Sequence, residues 1–87
     1  LSDPLMTLNT LVLGQRGRVS GLCATDKTRR RMLDLGLIPG TVVEALHQSP
    51  SGDPTAYRIR GAVIALRAQE ASYVYLEAAG NGGEGML

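Results

Sequence analysis

Apolar and polar positions along this chain change period several times, and each change marks a short element. Leu8, Leu11, Val12 and Leu13 run into Gly14-Gln15-Arg16-Gly17, an opening segment that closes on a turn. Residues 18–24 alternate weakly, with Val19, Gly21 and Cys23 on one side and Ser20 and Leu22 on the other, which predicts a strand. Thr25 or Asp26 is suited to cap a helix over 27–35, and Gly36 supplies the left-handed residue that stops it, with Pro39 just beyond. At about 100° per residue, Met32, Leu33 and Leu35 share an arc of about 160°, while Lys27, Arg30, Arg31 and Asp34 lie outside it. Arg29 falls near the middle of that arc, so its charge must snorkel or find a partner, with Glu70 and Asp34 as candidates.

Residues 41–47 are rich in β-branched side chains and predict a strand, followed by a loop over 48–55 made almost entirely of turn formers. Residues 56–60 and 62–67 flank Gly61 as a hairpin, with Tyr57 and Ile59 expected on one face and Ile64 and Leu66 on another. Residues 67–72 suit a turn or a single helical turn. A last strand over 73–77 alternates Val74 and Leu76 with Tyr73 and Tyr75. The segment 78–87 carries glycines at 80, 82, 83 and 85 and no periodic pattern, so it is expected to be flexible or weakly docked. About five short strands and one short helix predict a mainly β fold, a small and partly open barrel, because a parallel sheet would need more crossover helices. The domain is expected over 7–77. Residues 1–6 form an N-terminal extension, of which 1–5 precede a methionine and suit a vector-derived stretch.

Composition narrows the function. At 87 residues the chain has room for one core. A domain this small buries roughly 60–65% of its unfolded surface, leaving little stability for a deep or strained site. Nine Lys plus Arg against eight Asp plus Glu give a formal charge of +1, so no global field drives the chain onto nucleic acid or a membrane. Eight of the nine cations are Arg, which suits planar contacts to partners. One cysteine cannot form an internal disulfide, which fits a reducing cytoplasm, and no stretch approaches the length of a membrane span.

Candidate chemistry is sparse. No phosphate loop, paired Cys-x-x-Cys or His-Glu-x-x-His is present, and neither Cys23 nor any serine sits in a recognisable nucleophile setting beside the single His47, so no enzyme is expected. His47, Asp53 and Cys23 are weak surface candidates for a metal, at spacings that match no chelating motif, and Cys23 reads equally as a small core residue. No cofactor is implied. Arg29, Arg30 and Arg31, with Arg16, Arg18, Arg58, Arg60 and Arg67, could form a basic face, but Trp and Phe are absent and the tyrosines lie outside the basic run.

The run Arg29-Arg30-Arg31-Met32-Leu33-Asp34-Leu35-Gly36-Leu37-Ile38-Pro39-Gly40-Thr41 resembles the signature of the FeoA family, a basic helix ending in Leu-x-x-Leu-Gly-hydrophobic-x-Pro-Gly-Ser/Thr. Ser49-Pro50-Ser51-Gly52-Asp53-Pro54 is similar to the family's Pro-x-Gly-Asp-Pro turn, and residues 60–67 to its Ala/Val-Leu-Arg strand. The resemblance covers about residues 7–77 and implies an SH3-like barrel that acts in bacterial ferrous iron uptake. The implied partner is FeoB, the membrane permease with a cytosolic GTP-binding domain. The implied location is cytoplasmic, at the inner membrane only through that partner, with no insertion of its own and with weak self-association as a further option. A free-standing nucleic-acid-binding barrel and a weak iron-binding chaperone are the alternatives. Gly36, Pro39, Gly40, Gly52, Asp53 and Pro54 then serve the backbone geometry, and Arg29 a structural pairing. Met32, Leu35, Leu37, Arg30 and Arg31 are the residues expected to touch the partner, because a short helix cannot bury its whole apolar arc equally.

Overall fold

The computed structural model describes residues 6–78. Their order is β1 (Met6–Thr7), a 3-10 turn (Leu8–Thr10), β2 (Arg16–Leu22), α1 (Asp26–Asp34), β3 (Val42–Gln48), β4 (Thr55–Ile59), β5 (Ala62–Leu66), α2 (Ala68–Ala71) and β6 (Val74–Ala78). All pairings are antiparallel, in the spatial order β1-β6-β2-β3-β4-β5. The fold is mainly β and SH3-like, as expected, but the sheet is not closed, so it is a barrel only approximately.

Six strands replace the expected five. The additional one is β1, where Met6 pairs with Leu76 and Thr7 with Tyr75, so Met6, placed in the expected extension, belongs to the sheet. At the other end Ala78 still pairs with Gly17. The expectations for residues 1–5 and 79–87 lie outside the described residues.

The core follows the alternation of the strands. Val43, Ala45, Tyr57, Ile59, Val74 and Leu76 turn inward, while their sequence neighbours are exposed or half-buried in most cases. Alternation fails in β2, where the register shifts between Val19 and Gly21. Val19 is buried, but beyond the irregularity Cys23 is exposed instead of facing inward with it. A bulge changes which face the following side chains take, and weak alternation could not reveal it. Tyr57 reaches across the core to donate to the Leu8 carbonyl at 3.3 Å, tying β4 to the 3-10 turn. Burial pushes its phenol above the ordinary value; the Thr55 hydrogen bond opposes that rise and the Asp53 charge adds to it.

Two side chains then tie the loops together. Asp53 accepts the backbone N–H of Ala68 at 2.8 Å, fixing the β3–β4 loop to the start of α2. Glu70 accepts the backbone N–H of Arg67 at 3.0 Å and forms an ion pair with Arg31, which joins α2 to α1. The carboxylate partner foreseen for Arg29 therefore belongs to Arg31, and Arg29 is exposed. Two positions along a helix turn a side chain by about 200°, so Arg29 and Arg31 leave α1 on nearly opposite sides and only Arg31 reaches Glu70.

Helix α1 ends on a Schellman turn. The Leu37 N–H bonds to the Met32 carbonyl at 3.1 Å and the Gly36 N–H to the Leu33 carbonyl at 2.9 Å, with Gly36 at φ +98. From there Ile38 to Thr41 turn the chain, and Gly40 donates to Val19 at 2.8 Å. A methyl placed on Gly36 would lie 2.3 Å from Cδ of Arg60, whose stem crosses the helix end. Gly36→Ala is expected to lower stability by about 1–2 kcal/mol from the left-handed backbone alone, and by more while Arg60 keeps its place. Urea denaturation should show a smaller loss in an Arg60→Ala background; equal losses in both backgrounds would leave Arg60 without a part in the helix stop.

Candidate functional site

Capping geometry sorts the apolar residues of the helix end. In a Schellman turn the residue three beyond the last helical position folds back toward the third residue from the helix end, and here those residues are Leu37 and Met32. Both join the core at 0% exposure. This corrects the expectation that Met32 and Leu37 face a partner. Leu35 is half-buried against the core, while Arg30 and Arg31 are exposed, Arg31 being engaged with Glu70.

The apolar residues left outside are Leu33, 37% exposed, and Ile38, 39% exposed. They border a shallow groove of about 450 Å³ between the end of α1 and the β4–β5 hairpin, with Leu35 beside them and Ile59, Ala62 and Ile64 on the strand side. Arg60 stands at its rim. A second depression of about 470 Å³ adjoins it across Leu33 and Asp34 and is bordered by Asp26, Arg29 and Arg30. The result is an apolar centre bordered by Arg29, Arg30 and Arg60 and by the carboxylates of Asp26 and Asp34, a layout compatible with an interaction surface.

Arg60 has an unusual backbone. It and Gly61 form the two-residue β4–β5 turn with φ of +52 and +84, the sign that a type I′ hairpin requires at both positions. Gly, Asn or Asp would occupy the first position with less strain, by about 1–2 kcal/mol for an ordinary side chain. Among the described residues the ion pairs are Arg31–Glu70 and Arg58–Glu44, so the guanidinium of Arg60 has no carboxylate partner there.

The remaining candidates do not converge. His47 and Cys23 are exposed at the ends of β3 and β2, and Asp53 is committed to Ala68. Among the described residues no group of three or more His, Cys, Asp and Glu is arranged to hold a metal ion. Cys23 neighbours Tyr75 and raises its phenol pKa, first through a side-chain hydrogen bond and then through charge. On the outer sheet face Arg16, Glu44, Arg58 and Val63 form one cross-strand row, and Glu77, Arg18 and Val42 lie in another. Arg58 and Glu44 approach to 3.9 Å, and the two glutamates break up the positive face. Among the described residues no helix is long and apolar enough to cross a membrane.

Sequence reading missed Ile38, Ile64 and Arg60 as members of one surface. Gly36 held the signal for Ile38, since a helix stop with a paired Met32 and Leu37 leaves the next residue outside. Nothing in the local sequence placed Ile64 and Arg60 beside α1.

A family model described as "FeoA domain" matches residues 6–78. A FeoA-like protein from Clostridium acetobutylicum is 28% identical, with 97% of this chain and 98% of that one covered and a TM-score of 0.81. FeoA from Chlorobium tepidum is 33% identical over 94% of this chain and 81% of that one, with a TM-score of 0.77. Stenotrophomonas maltophilia FeoA, solved with zinc, is 32% identical over 85% and 92%, with a TM-score of 0.76. It is described as a procaryotic SH3 domain protein, with a suggested role as a bacterial ferrous iron transport activating factor. No curated protein sequence matches the chain.

Met32→Gln buries an amide without a partner and is expected to cost about 1–3 kcal/mol in chemical denaturation. Leu33→Gln, one residue along, should stay within about 0.5 kcal/mol of the unmodified protein. Similar losses at both positions would contradict the division between core and groove.

Proposed function

The chain belongs to the FeoA family, associated with ferrous iron transport, and from that premise we propose that it is an accessory or regulatory module that binds the cytosolic side of an FeoB-like permease. The observation that carries this reading is the groove between α1 and the β4–β5 hairpin. Leu33 and Ile38 are apolar, exposed and adjacent, in a domain small enough that leaving them in water forfeits burial worth about 1–2 kcal/mol each. Arg30 and Arg60 border the same region and can meet carboxylates on the partner.

Binding, and no bond chemistry, is the task assigned to this surface. Its side chains are aliphatic or permanently charged apart from Asp34, which leaves no pair suited to exchange a proton with a substrate. The chain's place in the cytoplasm follows from the same reading, since the partner's GTP-binding part lies there. Nucleic acid is the poorer partner, because Glu44 and Glu77 interrupt the outer arginines and no aromatic ring stands among them.

Leu33→Glu combined with Ile38→Glu should reduce capture of the permease's cytosolic domain at least about tenfold, the effect of losing one well-buried anchor or more. Val12→Glu, at an exposed position on a different segment, should leave capture unchanged. Biolayer interferometry on immobilised permease domain would read both. Full retention in the double variant, with thermal unfolding unaltered, would remove the groove from the interface.

A further inference from the structure

The open side of the sheet suggests how a partner binds, in addition to where. Strand β5 pairs with β4 alone and forms an edge of the sheet. Its register fixes which backbone groups are free. Ile59 and Ala62 flank a two-residue turn and so form a hydrogen-bonded pair; Ile64 opposite Tyr57 and Leu66 opposite Thr55 repeat that geometry. The intervening residues, Val63 and Ala65, therefore direct their N–H and C=O groups away from β4. Both are exposed, Val63 at 59%.

Such an edge is usually blunted by a charge, a proline or a covering element. Here Ala62-Val63-Ile64-Ala65-Leu66 has no charge or proline, and among the described residues no strand lies on its free side. The other wall of the opening is the end of α1, with Leu33, Leu35 and Ile38. An extended segment laid along β5 would satisfy the free groups of Val63 and Ala65 and place alternate side chains in the groove between β5 and α1. The two ends of β5 are marked by Arg60 and Arg67, which are exposed and have no carboxylate partner among the described residues.

We propose that β5 is a strand-addition site, and that its occupant is an extended partner peptide with alternating apolar side chains and an acidic residue toward each end. Five residues of β5 span about 17 Å, so a seven-residue segment covers the strand and reaches both arginines. Charge decides between this occupant and a second copy of the chain, whose own β5 would bring two more arginines to the junction and no acid. The strained backbone of Arg60 has a use in this arrangement: a left-handed residue at the turn holds a cation at the mouth of the groove, where Asn or Gly would hold none. The proposal deepens the reading of the chain as a protein-interaction module and rests on it.

The test uses the intact chain and the peptide acetyl-Glu-Val-Ser-Ile-Ser-Val-Glu-amide, with amide hydrogen exchange followed residue by residue. Saturating peptide should slow exchange at Val63 and Ala65 at least about tenfold, and a peptide N-methylated at the residues that face β5 should not. Val63→Pro removes one outward N–H without breaking the β4 ladder and should weaken binding by a similar factor, while Val63→Thr retains it. The proposal is overturned if no slowing is seen at about 1 mM peptide, a concentration that detects even millimolar affinity. It is equally overturned if protection falls elsewhere or the N-methylated peptide protects as well. Protection of Val63 and Ala65 that grows with protein concentration alone, together with diffusion of a dimer, would identify a second copy as the occupant and also overturn it. Because no permease is present, failure of the peptide titration is distinct from failure of permease capture, which tests the partner itself.

Discussion

The left-handed turn at Gly36 is the constraint on which the rest of this structure depends. An L-residue there meets backbone strain and the stem of Arg60 together, so glycine is the residue at which the helix stops in this way at least cost. Once it stops, the two Schellman hydrogen bonds fix the direction of the next residues, and Met32 and Leu37 enter the core as a consequence. Leu33 and Ile38 are excluded by the same geometry. One turn therefore completes the core and creates the apolar surface outside it.

The groove exists because this turn is fastened to a sheet that does not close. Asp53 holds the β3–β4 loop to α2, Glu70 holds α2 to α1 through Arg31, and Arg60 crosses from the hairpin to the helix end. Exposed ion pairs contribute little by themselves, about 0–1 kcal/mol. Their effect here is positional: α1 stands beside β5 without covering its edge.

Much of the fold was legible because its signals are local. Strand alternation placed Tyr57, Ile59, Val74 and Leu76 correctly, and Gly36, Pro39 and Gly40 announced the helix stop and the turn after it. Asp53 was expected to serve the backbone geometry, although the N–H it accepts, that of Ala68, lies fifteen residues away and no local pattern could name it. The site was less legible. The helical arc of Met32, Leu33 and Leu35 treats the three as equivalent, whereas capping separates Met32 from Leu33. Arg31 takes the pairing with Glu70 that was expected of Arg29, because the arc says where a side chain starts and tertiary contacts decide where it ends. Cys23 was displaced by a β-bulge that leaves no mark in composition.

The proposed partner contact lies in the opening between α1 and β5. Its most direct measurement is backbone amide chemical-shift mapping of the labelled chain against the unlabelled cytosolic domain of the permease. The predicted result is a contiguous set of perturbations over residues 33–38 and 60–65, with His47 and the outer row of Arg16, Glu44 and Arg58 silent. Perturbations concentrated on that outer row or around Cys23 and Tyr73, with the groove silent, would contradict it.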